Sequence, residues 1–272
     1  MVEKRARGGS DRGPVPVLQA RDGGPAERFA GLFGGSHPAT VFIVALICGY
    51  VALAAASVLL ALFVTDVLLH TGGISRADES VIESIVADRT PFLTDASSIG
   101  SAVGGAPVLP ILVALIALVC ALLRRWRIAA FAVFVLVVES ATYRVTSLLV
   151  PRQRPTVQRL EDLPANASYP SGHTAASIAV YVGLVLLLTS AIPNRRLRVA
   201  AWIAAIVLPL FVAGSRMYRG MHHPLDVAGG VLVGIGAVLV LLFACRAAEA
   251  AVRSPARDRK AVARRSRIQA AS

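Results

Sequence analysis

The chain has 272 residues, of which 56% are hydrophobic and only 16% charged, with a mean hydropathy of +0.66. This balance excludes an ordinary soluble domain, because several apolar runs are each long enough for a bilayer, which takes about 20 apolar residues. The formal net charge of +12 raises nucleic acid as a partner, but no aromatics are interleaved with the basic clusters as a single-strand stacking platform requires.

Residues 1–38 are rich in Gly, Pro and Arg, which predicts a disordered cytoplasmic tail. The apolar run Ala39 to Val64 is too long for a cleavable signal segment, so it reads as a retained first helix. A polar stretch, Asp66 to Ala106, follows. In it Ile74, Ile82, Ile85 and Val86 recur near helical spacing, which predicts a short amphipathic piece on the membrane surface. Helix 2 is expected from Pro107 to Leu123, closed by Arg124, Arg125 and Arg127. Helix 3, Ile128 to Val150, carries Glu139 and Arg144 inside it. After a polar loop from Pro151 to Pro170 come helix 4 (Ser171 to Ile192), helix 5 (Val199 to Gly214) and helix 6 (Pro224 to Cys245). Gly230 and Gly234 form a small-xxx-small pair, read as helix packing rather than dimerisation. Residues 246–272 are basic and read as a second disordered tail. The expected fold is therefore an all-α bundle of six transmembrane helices over residues 39–245, with a polar tail at each end.

Charge then sets the topology. Twenty of the 28 Lys and Arg residues fall in the two tails and in the turns after helices 2 and 4, against seven on the opposite side. Positive charge stays on the cytoplasmic side, so both termini are expected inside a multi-pass cell-membrane protein. The basic tails read first as this topology signal and second as contacts for anionic lipid. Cys48, Cys120 and Cys245 lie in or at the ends of apolar runs, with no CxxC or Cys/His cluster, so they read as packing residues rather than as metal ligands or disulfides.

Three polar segments share the opposite, extracytoplasmic side: Arg152-Gln153-Arg154-Pro155, Tyr169-Pro170-Ser171-Gly172-His173, and Ser215 to Asp226. Polar residues at one helix end are usually only interfacial, but three convergent loops are harder to dismiss. The planar guanidinium fork suits a phosphate. Ser171 suits an N-cap and Pro224 a first helical turn, so helices 4 and 6 both open here with amides and dipoles that favour an anion. His222 and Asp226 are four residues apart and share a helix face. Asp226 is then placed to hold one imidazole nitrogen and leave the other free to attack.

These segments resemble the three signature motifs of the type 2 phosphatidate phosphatase superfamily, which also includes the vanadium haloperoxidases. The family pattern is Lys, six residues, Arg-Pro; then Pro-Ser-Gly-His; then Ser-Arg, five residues, His, three residues, Asp. The second motif matches at Pro170 to His173 and the third at Ser215-Arg216, His222 and Asp226, within a resemblance that spans 128–245. The resemblance implies a hydrolase for lipid phosphates that needs no metal or cofactor and works through a phosphohistidine. His222 is the implied nucleophile, Asp226 its orienting group and His173 the general acid and base, with Arg154, Ser171, Gly172 and Arg216 holding the phosphoryl oxygens. Where the family has its lysine, seven residues before Arg154, this chain has Ser147. Arg144, one turn earlier, is the expected substitute, with Arg152 as the alternative. Undecaprenyl or another polyprenyl diphosphate is the first substrate expected, then phosphatidate or phosphatidylglycerophosphate. A lipid phosphotransferase with the same intermediate and an inactive lipid-binding membrane protein are the competing readings. A haloperoxidase is disfavoured by the spanning helices.

Overall fold

In a computed structural model the described residues are 15–269, with side chains described as far as Arg253. The fold among them is all-α. A 3-10 turn (Pro16–Leu18) and α1 (Pro25–Gly31) precede α2 (Pro38–Leu62), which continues through a π-helical turn to Leu68. Next come α3 (Gly72–Ala87), α4 (Pro91–Val103), α5 (Val108–Leu122) and α6 (Trp126–Leu149). A long loop leads to α7 (Gly172–Ser177), which runs through another π-helical turn into α8 (Gly183–Thr189). The bundle closes with α9 (Arg195–Tyr218) and α10 (Pro224–Gln269).

Among the described residues five helical segments are long and apolar enough to cross a membrane, and six if α4 and α5, bent by 41° at their junction, act together as one span. Exposed Leu59, Leu118, Leu210 and Leu239 on α2, α5, α9 and α10 are the lipid-facing surface that such a bundle requires. Inside, Phe131, Val135 and Val138 of α6 meet Ala237, Val238 and Leu241 of α10. Gly230 and Gly234 let α10 touch the α7 segment backbone to backbone: a Cβ on them would lie 2.5 Å from the Ser171 carbonyl oxygen and 2.6 Å from that of Ala175. The small-residue pair is thus a packing device.

Both tails differ from expectation. Residues 1–14 and 270–272 lie outside the described residues, but 15–37 are folded. Leu18 is buried against Phe131 and Leu241, and the Ala20 amide donates to Glu249 at 2.9 Å. At the other end α10 continues as helix to Gln269, beyond the boundary that hydropathy sets near Cys245. Hydropathy detects spans, not helix that extends past the bilayer.

Candidate active site

The three polar segments meet at one end of the bundle, around a cavity of about 280 Å³. Arg154, Gly172, His173, Arg216 and His222 line its polar part, and Leu109, Leu136 and Ala176 its apolar part. The backbone ties the segments together: the Ser171 amide donates to the Asp226 carbonyl at 2.9 Å.

His222 is 2% exposed. Its Nδ1 lies 2.7 Å from the carbonyl oxygen of Ser168. A carbonyl only accepts, so Nδ1 carries the proton and Nε2 keeps its lone pair. Burial pulls the imidazole's pKa well below its ordinary value; Asp226 opposes this and the Arg216 and Arg154 charges add to it. The side chain is therefore a neutral imidazole. Its Nε2 faces Arg154 Nη1 at 3.5 Å.

Asp226 does not hold His222 directly, as the four-residue spacing led us to expect. Its Oδ2 is 3.9 Å from His222 Nδ1. The carboxylate, wholly buried, accepts instead from Arg152 Nη1 (2.5 Å), Ser168 Oγ (2.6 Å), and the backbone amide (2.8 Å) and Nδ1 (3.2 Å) of His223. Its hold on the imidazole passes through Ser168, whose hydroxyl binds Asp226 and whose carbonyl binds His222.

Arg154 is anchored by carbonyls, donating from Nε to Pro164 (2.8 Å) and from Nη1 to Met221 (2.5 Å). Arg216 is 0% exposed. Its Nη1 donates to Ser101 and to both oxygens of Glu161 (2.9 and 2.7 Å), whereas Nε and Nη2 are buried with no protein partner. Glu161 also accepts from Arg219 at 2.6 Å. Burial alone would raise this carboxyl's pKa, but the Arg216 charge and the bonds from Arg216, Ser101 and Arg219 hold it at about 2. His173, on the first turn of α7, borders the cavity and makes no side-chain hydrogen bond among the described residues.

Two expected phosphate ligands are placed elsewhere. Ser171 stands at the N-cap of α7, but it is fully buried with its hydroxyl on Thr174 (2.9 Å) and does not line the cavity. Arg144 is exposed on α6 and also outside the cavity lining. Arg152, the alternative to Arg144, is consumed by Asp226 and by Asp78 (2.5 Å each). Ser147 is buried and turns its hydroxyl back to the Arg144 carbonyl at 3.2 Å. Four residues escaped sequence reasoning. Glu161 and Ser168 lie in an irregular loop with no periodic signal, and Asp78 and Glu79 reach the site from α3.

A helical membrane bundle with a buried neutral histidine between two arginines defines a class of integral membrane protein built to hold an oxyanion. The comparisons make the class specific. Residues 128–249 match the model of the PAP2 superfamily. Phosphatidylglycerophosphatase B of Bacillus subtilis is 26% identical over 168 residues, 61% of this chain and 82% of that one. An undecaprenyl-diphosphatase of Sulfolobus acidocaldarius is 45% identical over 76 residues, covering 28% of this chain and 32% of that enzyme. Among solved structures, the transmembrane PAP2 type phosphatidylglycerolphosphate phosphatase of Bacillus subtilis superposes with a TM-score of 0.59 at 24% identity, over 75% of this chain and 93% of that one, and shares the fold. The chain is a multi-pass membrane protein that is similar to lipid phosphatases of the PAP2 type.

Proposed function

We propose that the chain removes a phosphoryl group from a polyprenyl diphosphate or from a phosphatidate-like glycerolipid phosphate, by way of a phosphohistidine on His222. The observation that carries this reading is the Nε2 lone pair of a neutral, buried His222 beside Arg154, in a cavity that Arg216, two of whose donors have no protein partner, also lines. His222 Nε2 attacks phosphorus in line. The P–O bond to the lipid breaks, and His173 gives the leaving oxygen its proton. Water then attacks the phosphohistidine, His173 takes the water's proton, and inorganic phosphate leaves. Arg154, Arg216 and the backbone at Gly172 stabilise charge on the three equatorial oxygens. Asp226 keeps His222 in place through Ser168. The charge distribution supports a site on the extracytoplasmic side, reached by a lipid that leaves its tails in the bilayer.

The test is phosphate release by the purified chain in detergent with excess EDTA, on undecaprenyl diphosphate and phosphatidate side by side. Release that survives EDTA and vanishes in His222→Ala is expected, and the faster lipid names the substrate class. Release from His222→Ala at the native rate, or abolished by EDTA in the native chain, sinks the histidine mechanism.

A further inference from the structure

Among the polar groups of the cavity that the mechanism has not used, α6 contributes Glu139, Ser140 and Tyr143. Tyr143 lines the cavity together with Arg154, His173, Arg216 and His222. Its ring lies against the start of α7, where a Cβ added to Gly172 would come within 3.2 Å of it. The phenol is close enough to the Arg154 and Arg216 guanidiniums to interact electrostatically with both. Yet its hydroxyl makes no hydrogen bond to protein among the described residues. On the same face of α6, Ser147 has turned its hydroxyl back to its own helix, and Arg144 is exposed. Of the α6 residues that line the cavity, Ser140 gives its hydroxyl to Glu139 (3.0 Å), whereas Tyr143 lies in electrostatic reach of both guanidiniums.

We infer that the Tyr143 hydroxyl donates a hydrogen bond to a nonbridging phosphoryl oxygen of the substrate, at the place from which Ser147 has withdrawn; this rests on the phosphatase reading above. The chemistry suits the position. A phenol is a neutral donor, rigid beyond two torsions, and its bond to an anionic oxygen is of the short, strong kind. It completes a set of donors in which Arg154 and Arg216 supply the charge and Tyr143 a third direction, toward an oxygen on the α6 side of the site. No bond is broken and no proton is transferred in this role.

The experiment compares the full chain with Tyr143→Phe, which keeps the ring packing and removes only the hydroxyl. Binding of orthovanadate, measured by calorimetry, reads the contact without turnover; kcat/KM on phosphatidate reads it in the reaction. Both are expected to fall about 10- to 100-fold, the range for a hydrogen bond to a charged group, with an unchanged melting temperature. Vanadate affinity within twofold of the native chain overturns the inference, whatever happens to the rate, because it leaves Tyr143 with a packing role only. A native chain that releases no phosphate from any lipid breaks the phosphatase reading instead, and the vanadate comparison still decides Tyr143.

Discussion

A guanidinium that is 0% exposed and satisfied on one side alone is costly to keep, and Arg216 is such a group: Glu161 takes Nη1, while Nε and Nη2 are buried without partners. In the reaction proposed above a phosphoryl group supplies what those donors lack, which makes Lys a poor replacement. Arg216→Lys keeps a charge but loses the fork. We expect it to lower kcat/KM about 100-fold, the effect of losing one oriented transition-state donor. Arg144→Ala is expected to stay within twofold, and steady-state assays of both variants check the contrast; a large loss in Arg144→Ala contradicts the placement of that side chain outside the cavity. The motif residues were legible in the sequence because each motif is a short local string. Arg144 was misjudged by a fraction of a turn. At about 100° per residue, three positions before Ser147 lie some 60° off its face, and four positions before lie some 40° off it on the other side. The residue four positions before is Tyr143. The Ser168 carbonyl that orients His222 had no side-chain signal at all.

At the scale of elements, α3 is the surprise. Its amphipathic pattern predicted a piece lying on the membrane surface, and periodicity alone does not say what its polar face touches. Asp78 accepts from Arg152 (2.5 Å) and from the Leu225 amide (3.0 Å). Glu79 accepts from the amide (2.8 Å) and hydroxyl (2.5 Å) of Thr156 and pairs with His223 Nε2 at 2.8 Å. The helix thereby adds a second fastening between two candidate-site segments that Arg152 and Arg154 already join through Asp226 and the Met221 carbonyl. The His223 pKa is raised: burial alone lowers it, but the bond and charge of Asp226 and the bond to Glu79 outweigh that. Glu79 is lowered, since the Thr156 and His223 contacts outweigh its burial. The signs give the pH window. A raised histidine contributes stability that is fully present below its unfolded value, about 6.5, and is lost as pH rises through the folded value. A lowered carboxyl contributes above its unfolded value, about 4.3, and loses this as pH falls. The clasp is therefore strongest between about pH 5 and 6.5. Thermal melting of native protein and His223→Gln across pH 5 to 9 is expected to show a gap that narrows with rising pH. A gap that is constant or widens contradicts a charged His223.

Across the whole molecule, α10 joins two regions that have different tasks. Its first turn holds Asp226, in the site. About 35 Å further along it, at 1.5 Å per residue, is Glu249, which accepts from the Ala20 amide and from Arg253. There residues 15–37 wrap the bundle: Ala26 and Ala30 of α1 pack on Ala244, Ala247 and Ala250 of α10, and Leu18 enters the core beside Leu241 and Leu242. None of this was readable from the sequence, because these apolar residues are scattered among Gly, Pro and Arg and their partners on α6 and α10 lie more than 100 positions away. A window that averages hydropathy sees only a polar tail. The hydrogen bond between Ala20 and Glu249 lies about 35 Å along α10 from Asp226, so the energetics of the wrap and of the site should add independently. Leu18→Ala removes a buried side chain and leaves a cavity, a change that costs about 2–5 kcal/mol in a well-packed core. We expect this variant to melt several degrees below the native chain in the same detergent, while kcat and KM on the lipid phosphate stay within twofold. Equal melting temperatures would mean that the wrap contributes nothing to the fold. A matched loss of kcat at a temperature where the variant is still fully folded would mean that α10 transmits strain from one end to the other, and that the N-terminal wrap is part of how His222 and Asp226 are kept in register.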